Sequence, residues 1–320
     1  MSSASRSVVA KAPIADVTRS LSLKERYARA NHNGRMTAII MFLPPALLLF
    51  TIFVILPIFE AGVLGFFRWN GYGEATKFAN PVGFQNYERL AGNRAFIRAL
   101  LNTGGIIIVS LAVQLPLALA MALLVAKRFA GAYLFRTIFF LPFILAEVAT
   151  GLIWRFVYDG EFGLVSAIWG VWGAEAPFVL ADRTWAIYAI MIVVVWKYFG
   201  WHMMIYIAGI QNIPSDLTDA ARMDGATRWQ ITRYVTIPLL MPAIRVSTFF
   251  AILGSLQLFD LVMPLTRGGP SNATQTIVTY LYNFGIERTR IGFGSAVGVV
   301  LFLICLAFAV SYGRTLFRKE

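Results

Sequence analysis

The residues of this chain that could do chemistry are few, and most lie inside long apolar runs. Glu147 is the deepest acid, Lys197 sits well inside another run, and Gln257 and Asp260 fall three apart in a third. Asn102 and Gln114 share a fourth run, and Trp154, Trp196 and Phe259 accompany the charged groups. If those runs cross a membrane, such side chains are costly there and mark either a pathway or paired struts. As a pathway, the amide and carboxylate groups would hydrogen-bond a hydroxyl-bearing solute while the aromatic rings stack on it. As struts, Glu147 and Lys197 would pair, or polar groups would bond between helices. Gln257 and Asp260 share a face if their run is helical, which makes them the leading pathway candidates. Glu147, Lys197 and Trp154 follow.

Nothing in the chain points to catalysis. No nucleophile has a base at a useful spacing. His32 and His202 are far apart and lack ligand neighbours at metal spacing, so no metal site is expected. The single Cys305 can form no intrachain disulfide. No G-x-x-x-x-G-K-[ST] phosphate loop occurs, so no nucleotide cofactor is expected on this chain.

The elements that must carry these residues follow from composition. Of 320 residues, 58% are apolar and 14% charged, and the mean hydropathy is +0.68. A soluble domain carries about 25% charged residues, so an ordinary water-facing surface is excluded. The net charge of +12 would suit nucleic acid, but Lys and Arg cluster in the tails and between apolar runs, the pattern that orients a membrane protein. About 20 apolar residues cross a bilayer as a helix. Six stretches qualify: Met36–Phe67, Phe96–Val125, Thr137–Tyr158, Thr184–Ile210, Pro242–Leu265 and Phe293–Leu316. The expectation is an all-α membrane protein with six transmembrane helices, the first bent by Pro44, Pro45 and Pro57.

Residues 1–35, with Arg6, Lys11, Arg19, Lys24, Arg26, Arg29 and Arg35, read as a basic cytoplasmic tail before a transmembrane domain over 36–320. Lys127, Arg128 and Arg136 mark the second–third connection as inside. Arg314, Arg318 and Lys319 bring the C-terminus to the same side. The third–fourth loop, with Asp159, Glu161, Glu175 and Asp182, reads as outside. The first–second loop carries Arg68 against this rule.

The fourth–fifth connection, residues 211–241, is amphipathic. Pro214, Ser215 and Asp216 suit a helix start with a capping hydroxyl and an acidic first turn. Ala220 and Ala221 give a smooth face with Leu217 and Asp224, and Gly225 suits a left-handed stop. A short, capped, small-faced helix on the inside is a docking element.

Asp219-Ala220-Ala221, Asp224-Gly225-Ala226 and Ile237-Pro238-Leu239 resemble the EAA loop of permease subunits in binding-protein-dependent ABC importers, most closely the carbohydrate-uptake, maltose-transporter-like group. Asp219 stands where that family usually has Glu. Phe66 to Asn70, Gly83 to Tyr87, Arg136 to Pro142 and Thr266 to Pro270 are similar too, so the likeness covers most of the chain from Leu43. The resemblance implies a half-channel in a bacterial inner membrane, surrounded by lipid and paired with a second permease. It also implies an ABC ATPase dimer beneath, which uses ATP and Mg, and an extracytoplasmic solute-binding protein above. Asp219, Ala220, Ala221, Asp224, Gly225, Ala226, Ile237 and Pro238 would couple it to the ATPase, through a cytoplasmic helix between the fourth and fifth spans. Judged on the residues alone, an ion-coupled transporter and a membrane scaffold stay open as alternatives.

Overall fold

The computed structural model describes residues 35–74, 79–126 and 131–317. The basic tail up to residue 34, and Lys127, Arg128, Arg318 and Lys319, lie outside the described residues. The described chain is helical apart from its connections and one two-residue antiparallel ladder, β1 (Phe67–Arg68) with β2 (Asn80–Pro81), in the register Phe67 to Pro81 and Arg68 to Asn80. Four helices are long and apolar enough to cross a membrane unbroken: α1 (Met36–Leu64), α3 (Arg94–Val125), α7 (Trp185–Gln211) and α13 (Ile291–Phe317). Two bent pairs bring the number of spans to as many as six. They are α4 (Ala132–Ile144) with α5 (Glu147–Val157), bent by 98°, and α9 (Arg228–Leu239) with α10 (Met241–Leu256), bent by 65°. Shorter helices are α2 (Gln85–Ala91), α6 (Leu164–Val171), α8 (Ser215–Met223), α11 (Val262–Thr266) and α12 (Ile277–Ile286).

The chain divides at Glu60 into two units. Among the described residues the first is α1 up to Glu60, and none of its side chains from 36 to 60 is buried. The second unit holds everything from Ala61 onward.

Three helices are widened by a π turn just ahead of a proline. The N–H of Leu56, Leu115 and Ile237 reaches the carbonyl five residues back, at Thr51, Ser110 and Thr232, and Pro57, Pro116 and Pro238 come next. A proline ring clashes with the carbonyl four residues before it. One wider turn relieves that clash without ending the helix, and it re-aims the side chains it contains.

The core of the second unit is built on α7. Ala118 and Ala122 of α3 are fully buried and meet Phe199, Met203 and Tyr206 of α7. Small residues four apart let two helices approach closely, which is how apolar helices associate where lipid offers no hydrophobic drive. On the other side, Gly200 lies against the Phe139 carbonyl of α4, and a Cβ there would overlap that oxygen. Further along, Ile190, Val193 and Val194 pack with Leu258, Leu261 and Val262. The Asn102 amide of α3 donates to the Ala273 and Gln275 carbonyls at 2.8 and 2.9 Å, tying that helix to the loop before α12.

Two expectations are corrected. The third span is not one helix from Thr137 to Tyr158, because the chain is extended at Leu145 and Ala146. The fifth does not run to Leu265 either. Helix α10 stops at Leu256, and the chain turns so that Leu258 and Leu261 enter the core. Thr276 donates to the Leu258 carbonyl at 2.8 Å, satisfying backbone that the helix no longer pairs.

Candidate functional site

The π turn of α3 places Ser110 and Gln114 side by side, both buried, with the Ser110 hydroxyl 3.4 Å from the Gln114 carbonyl oxygen. Ser255 of α10 meets Ser110 at 3.3 Å and donates back to the Ala251 carbonyl at 2.7 Å. These groups form one wall of a cavity of about 270 Å³. Tyr198, Trp201 and His202 of α7, Phe143 of α4 and Gln257 line the rest. Trp201 is stacked on Phe143 at 5.7 Å and edge-on to Phe250 at 5.3 Å. Nδ1 of His202 is hydrogen-bonded to Ser247, so the imidazole is already partnered. The lining is mostly apolar, with aromatic rings and the aliphatic Ala251, Leu253 and Leu258. A few hydroxyl, amide and imidazole groups converge on it without a carboxylate, ammonium or guanidinium, which suits stacking and hydrogen bonding with a neutral polar solute.

The break between α4 and α5 lies beside this cavity. Lys197 is buried, and its ammonium donates to the Leu145 carbonyl at 2.6 Å, the Pro142 carbonyl at 3.3 Å and Thr150 at 3.4 Å. Those carbonyls have lost their helical donors at the end of α4. The Tyr198 hydroxyl reaches both Glu147 carboxylate oxygens at 2.7 Å. Lys197 and Glu147 therefore form no direct ion pair, and each holds one side of the break through a different partner.

Of the five pathway candidates read from sequence, Gln257 lines the cavity. It caps α10 with a non-helical backbone, so it shares no helical face with Asp260, which is exposed in the following turn. Trp154 does not line this cavity; it packs edge-to-face with Trp196 at 5.3 Å and against Tyr158 at 5.2 Å. Ser110, Ser255, Tyr198, Trp201 and Phe143 also line this cavity, and sequence reasoning did not single them out. Serines and aromatic residues blend into an apolar run, and the Pro116 that widens α3 was the one local signal.

Helix α8 follows the far end of α7. The near end of α7, with Thr184 and Tyr188, faces a cavity shared with Arg94, Arg98 and Asn272, so α8 lies at the opposite end of the fold. None of its residues is buried. Its start differs from expectation: Pro214 is the N-cap, and Ser215 caps nothing, contacting Asp216 at 3.5 Å. Its end is a full Schellman motif, in which Gly225 (φ +80°) donates to the Arg222 carbonyl at 3.0 Å and Ala226 to the Ala221 carbonyl at 2.9 Å. Asp219 pairs with Arg222 at 2.6 Å on the exposed surface. Thr227 and Gln230 form a capping box that opens α9, where Ile237 and Pro238 close the π turn. Leu217, Met223, Trp229 and Tyr234 stand exposed around this element.

Residues 114–319 match the family described as binding-protein-dependent transport system inner membrane component. The chain is 33% identical over 283 residues to a lactose transport system permease protein of Rhizobium radiobacter, covering 85% of this chain and 91% of that one. It is 31% identical over 288 residues to a diacetylchitobiose uptake system permease protein of Streptomyces coelicolor, covering 86% and 81%. A bacterial ABC transporter structure involved in import of the acidic polysaccharide alginate shares the fold, with a TM-score of 0.78 at 23% identity, over 92% of this chain and 99% of that one. The chain belongs to the family of binding-protein-dependent transport system inner membrane components, the permease subunits of ABC importers, alongside carbohydrate-uptake members.

Proposed function

We propose that this permease forms half of the translocation pathway for a sugar or related polyhydroxy solute and couples to a separate ATPase through α8. The observation that carries the coupling is a short helix with no buried residue, closed by a Schellman motif and set at one end of α7. An exposed surface with Leu217, Met223 and Trp229 standing out suits a protein partner. Asp219, Ala220, Ala221, Asp224, Gly225 and Ala226 form its contact face, and Ile237 and Pro238 transmit its movement into α10. The solute class is supported by the uncharged hydroxyl, amide and aromatic lining of the cavity and by relatives named for lactose and diacetylchitobiose systems.

In this reading the subunit pairs with a second permease, and an ABC ATPase dimer using ATP and Mg docks beneath. A solute-binding protein delivers cargo from outside. Both termini and α8 are cytoplasmic, and the loops carrying Arg68, Arg183 and Arg288 face outward. Ser110, Gln114, Tyr198 and Gln257 contact solute, while Lys197 and Glu147 hold the broken helix beside it. Copurification after mild detergent extraction, comparing wild type with Gly225→Asp, tests the assembly. Wild type brings down an ATPase and a second permease, and the variant loses the ATPase or its stimulation by binding protein. If a well-folded wild type never brings down an ATPase, an ion-coupled transporter replaces this reading.

A further inference from the structure

The outward end of the second unit holds a basin far larger than the intramembrane cavity. It measures about 790 Å³ and lies between β1, α2 and the turn after α12. Arg68, Arg89, Arg288 and Arg290 line it together with Trp69 and Asn70, and its lining contains no acidic residue. All four arginines are exposed, and among the described residues none is in an ion pair. They come from two connections more than 190 residues apart in sequence, counted from Arg89 to Arg288 as an order-of-magnitude separation that local helix propensity cannot account for.

The frame that holds them is rigid. The buried Asn86 amide donates to the Gly65 and Phe67 carbonyls at 2.9 Å each, fixing α2, which carries Arg89, against the strand that carries Arg68. Gly292 N–H donates to the Trp69 carbonyl at 3.1 Å, fixing the start of α13 to the same strand. The Arg288 guanidinium lies 4.0 Å over the Phe284 ring, which sets its plane. Four like charges line this basin with no acid among its lining residues, the neighbouring Glu88 and Glu287 standing outside it, on loops where the orientation rule disfavours basic residues. Such a site focuses field on an incoming anion. The guanidinium fork matches carboxylates in a bidentate way.

We propose that this basin docks acidic side chains on the surface of the extracytoplasmic solute-binding protein. Several separate carboxylates are needed to answer four arginines spread over two loops, and a folded protein surface supplies them where one phosphate headgroup would leave most unpaired. The inference rests on the importer reading above, which supplies the partner and puts this end outside.

The test uses the assembled complex, with its second permease and ATPase subunits, in nanodiscs of phosphatidylcholine, and measures the Kd of the binding protein across a salt series. Arg89→Glu with Arg290→Glu weakens docking about tenfold or more, and the remaining binding loses most of its salt dependence. Reversing acidic residues of the binding protein to Arg restores affinity toward that variant. Should the double Glu variant not assemble, Arg89→Gln with Arg290→Gln takes its place, and the expected loss is about threefold or more with a reduced salt slope. The proposal is overturned if the assembled variant keeps its Kd within twofold of wild type. It is also overturned if anionic phospholipid, assayed as phosphate in the detergent-purified complex, is retained by wild type and lost from the variant while docking stays unchanged. Failure of wild type to bring down an ATPase at all overturns the importer reading instead, and is seen before any docking measurement.

Discussion

The Lys197 ammonium donates to the Leu145 carbonyl at 2.6 Å, across the break where α4 ends and the chain turns through 98° into α5. A single buried cation thereby replaces helical N–H donors that the bend has removed. Phe143 just before the bend and Tyr198, which holds Glu147 just after it, both line the cavity, so the arrangement holds one wall of that cavity in place.

Lys197→Met keeps much of the side-chain volume but leaves the Pro142 and Leu145 carbonyls without this donor, at a cost of about 1–3 kcal/mol for each unsatisfied group. A markedly lower melting temperature in detergent and reduced uptake are expected. Glu147→Gln still accepts from Tyr198 and is milder. Exchanging the two residues, Glu147→Lys with Lys197→Glu, gives no rescue, because the side chains serve different partners. Recovery of stability in the double variant would show that they act as a pair.

At Gly225 a Cβ would meet nothing of this chain within 4 Å, so within the subunit a substitution there acts through the backbone. Gly225→Ala forces a left-handed conformation costing roughly 1–2 kcal/mol, while Asn tolerates it better. The order wild type, Asn, Ala is expected both for the amount of ATPase copurified and for solute-stimulated hydrolysis. Equal amounts of ATPase across the series would break the link between the Schellman stop and docking.

Asp219→Ala removes an ion pair whose partners are 59% and 63% exposed. Exposed pairs on a helix contribute about 0.3–0.5 kcal/mol, so the melting temperature stays close to wild type. ATP hydrolysis stimulated by binding protein nevertheless falls several-fold, since the proposed coupling places this carboxylate on the face that meets the ATPase. A fall in both together would make the effect one of folding.

In the cavity, Gln114→Leu and Ser255→Ala each remove a hydrogen-bonding group and leave the buried Ser110 hydroxyl its other partner. Transport KM rises with little change in melting temperature, by roughly 1 kcal/mol of binding for each lost hydrogen bond. Uptake assays across solute concentrations read this directly, and an unchanged KM for both variants would remove these residues from the solute pathway.

Asp159 accepts backbone hydrogen bonds from Phe162 at 2.8 Å and Glu161 at 2.9 Å, and these hold its carboxyl below the usual aspartate range. A depressed folded-state value means the stabilisation is present above the ordinary aspartate value and is lost as pH falls through the lowered one. Protection of the Phe162 amide from hydrogen exchange, after correction for the intrinsic rate, is flat near neutral pH and drops in acid. In Asp159→Asn that acid-dependent drop disappears. A drop of the same size in the variant would assign it to another group.

By itself the sequence determined the class of protein, the apolar runs and the short helix between the fourth and fifth of them. Each of these is local: about twenty apolar residues, a proline start and a glycine at a left-handed stop need no knowledge of distant contacts. The element from Ser215 to Gly225 was legible for that reason, although its N-cap turned out to be Pro214 rather than a hydroxyl. Only the tertiary structure decided where helices break and which polar groups meet. Hydropathy does not distinguish a continuous helix from two helices joined at Leu145–Ala146, because the cost of the break is met by Lys197 from another helix. In the same way Thr276 meets the early stop of α10, and that stop separates Gln257 from Asp260. The arginine basin was equally hidden, since Arg68 and Arg288 come together only when the connection before α3 and the one before α13 are held against each other. Burial in an apolar medium leaves unpaired backbone and charge intolerable, so their partners are found across the fold, at sequence separations no local pattern encodes.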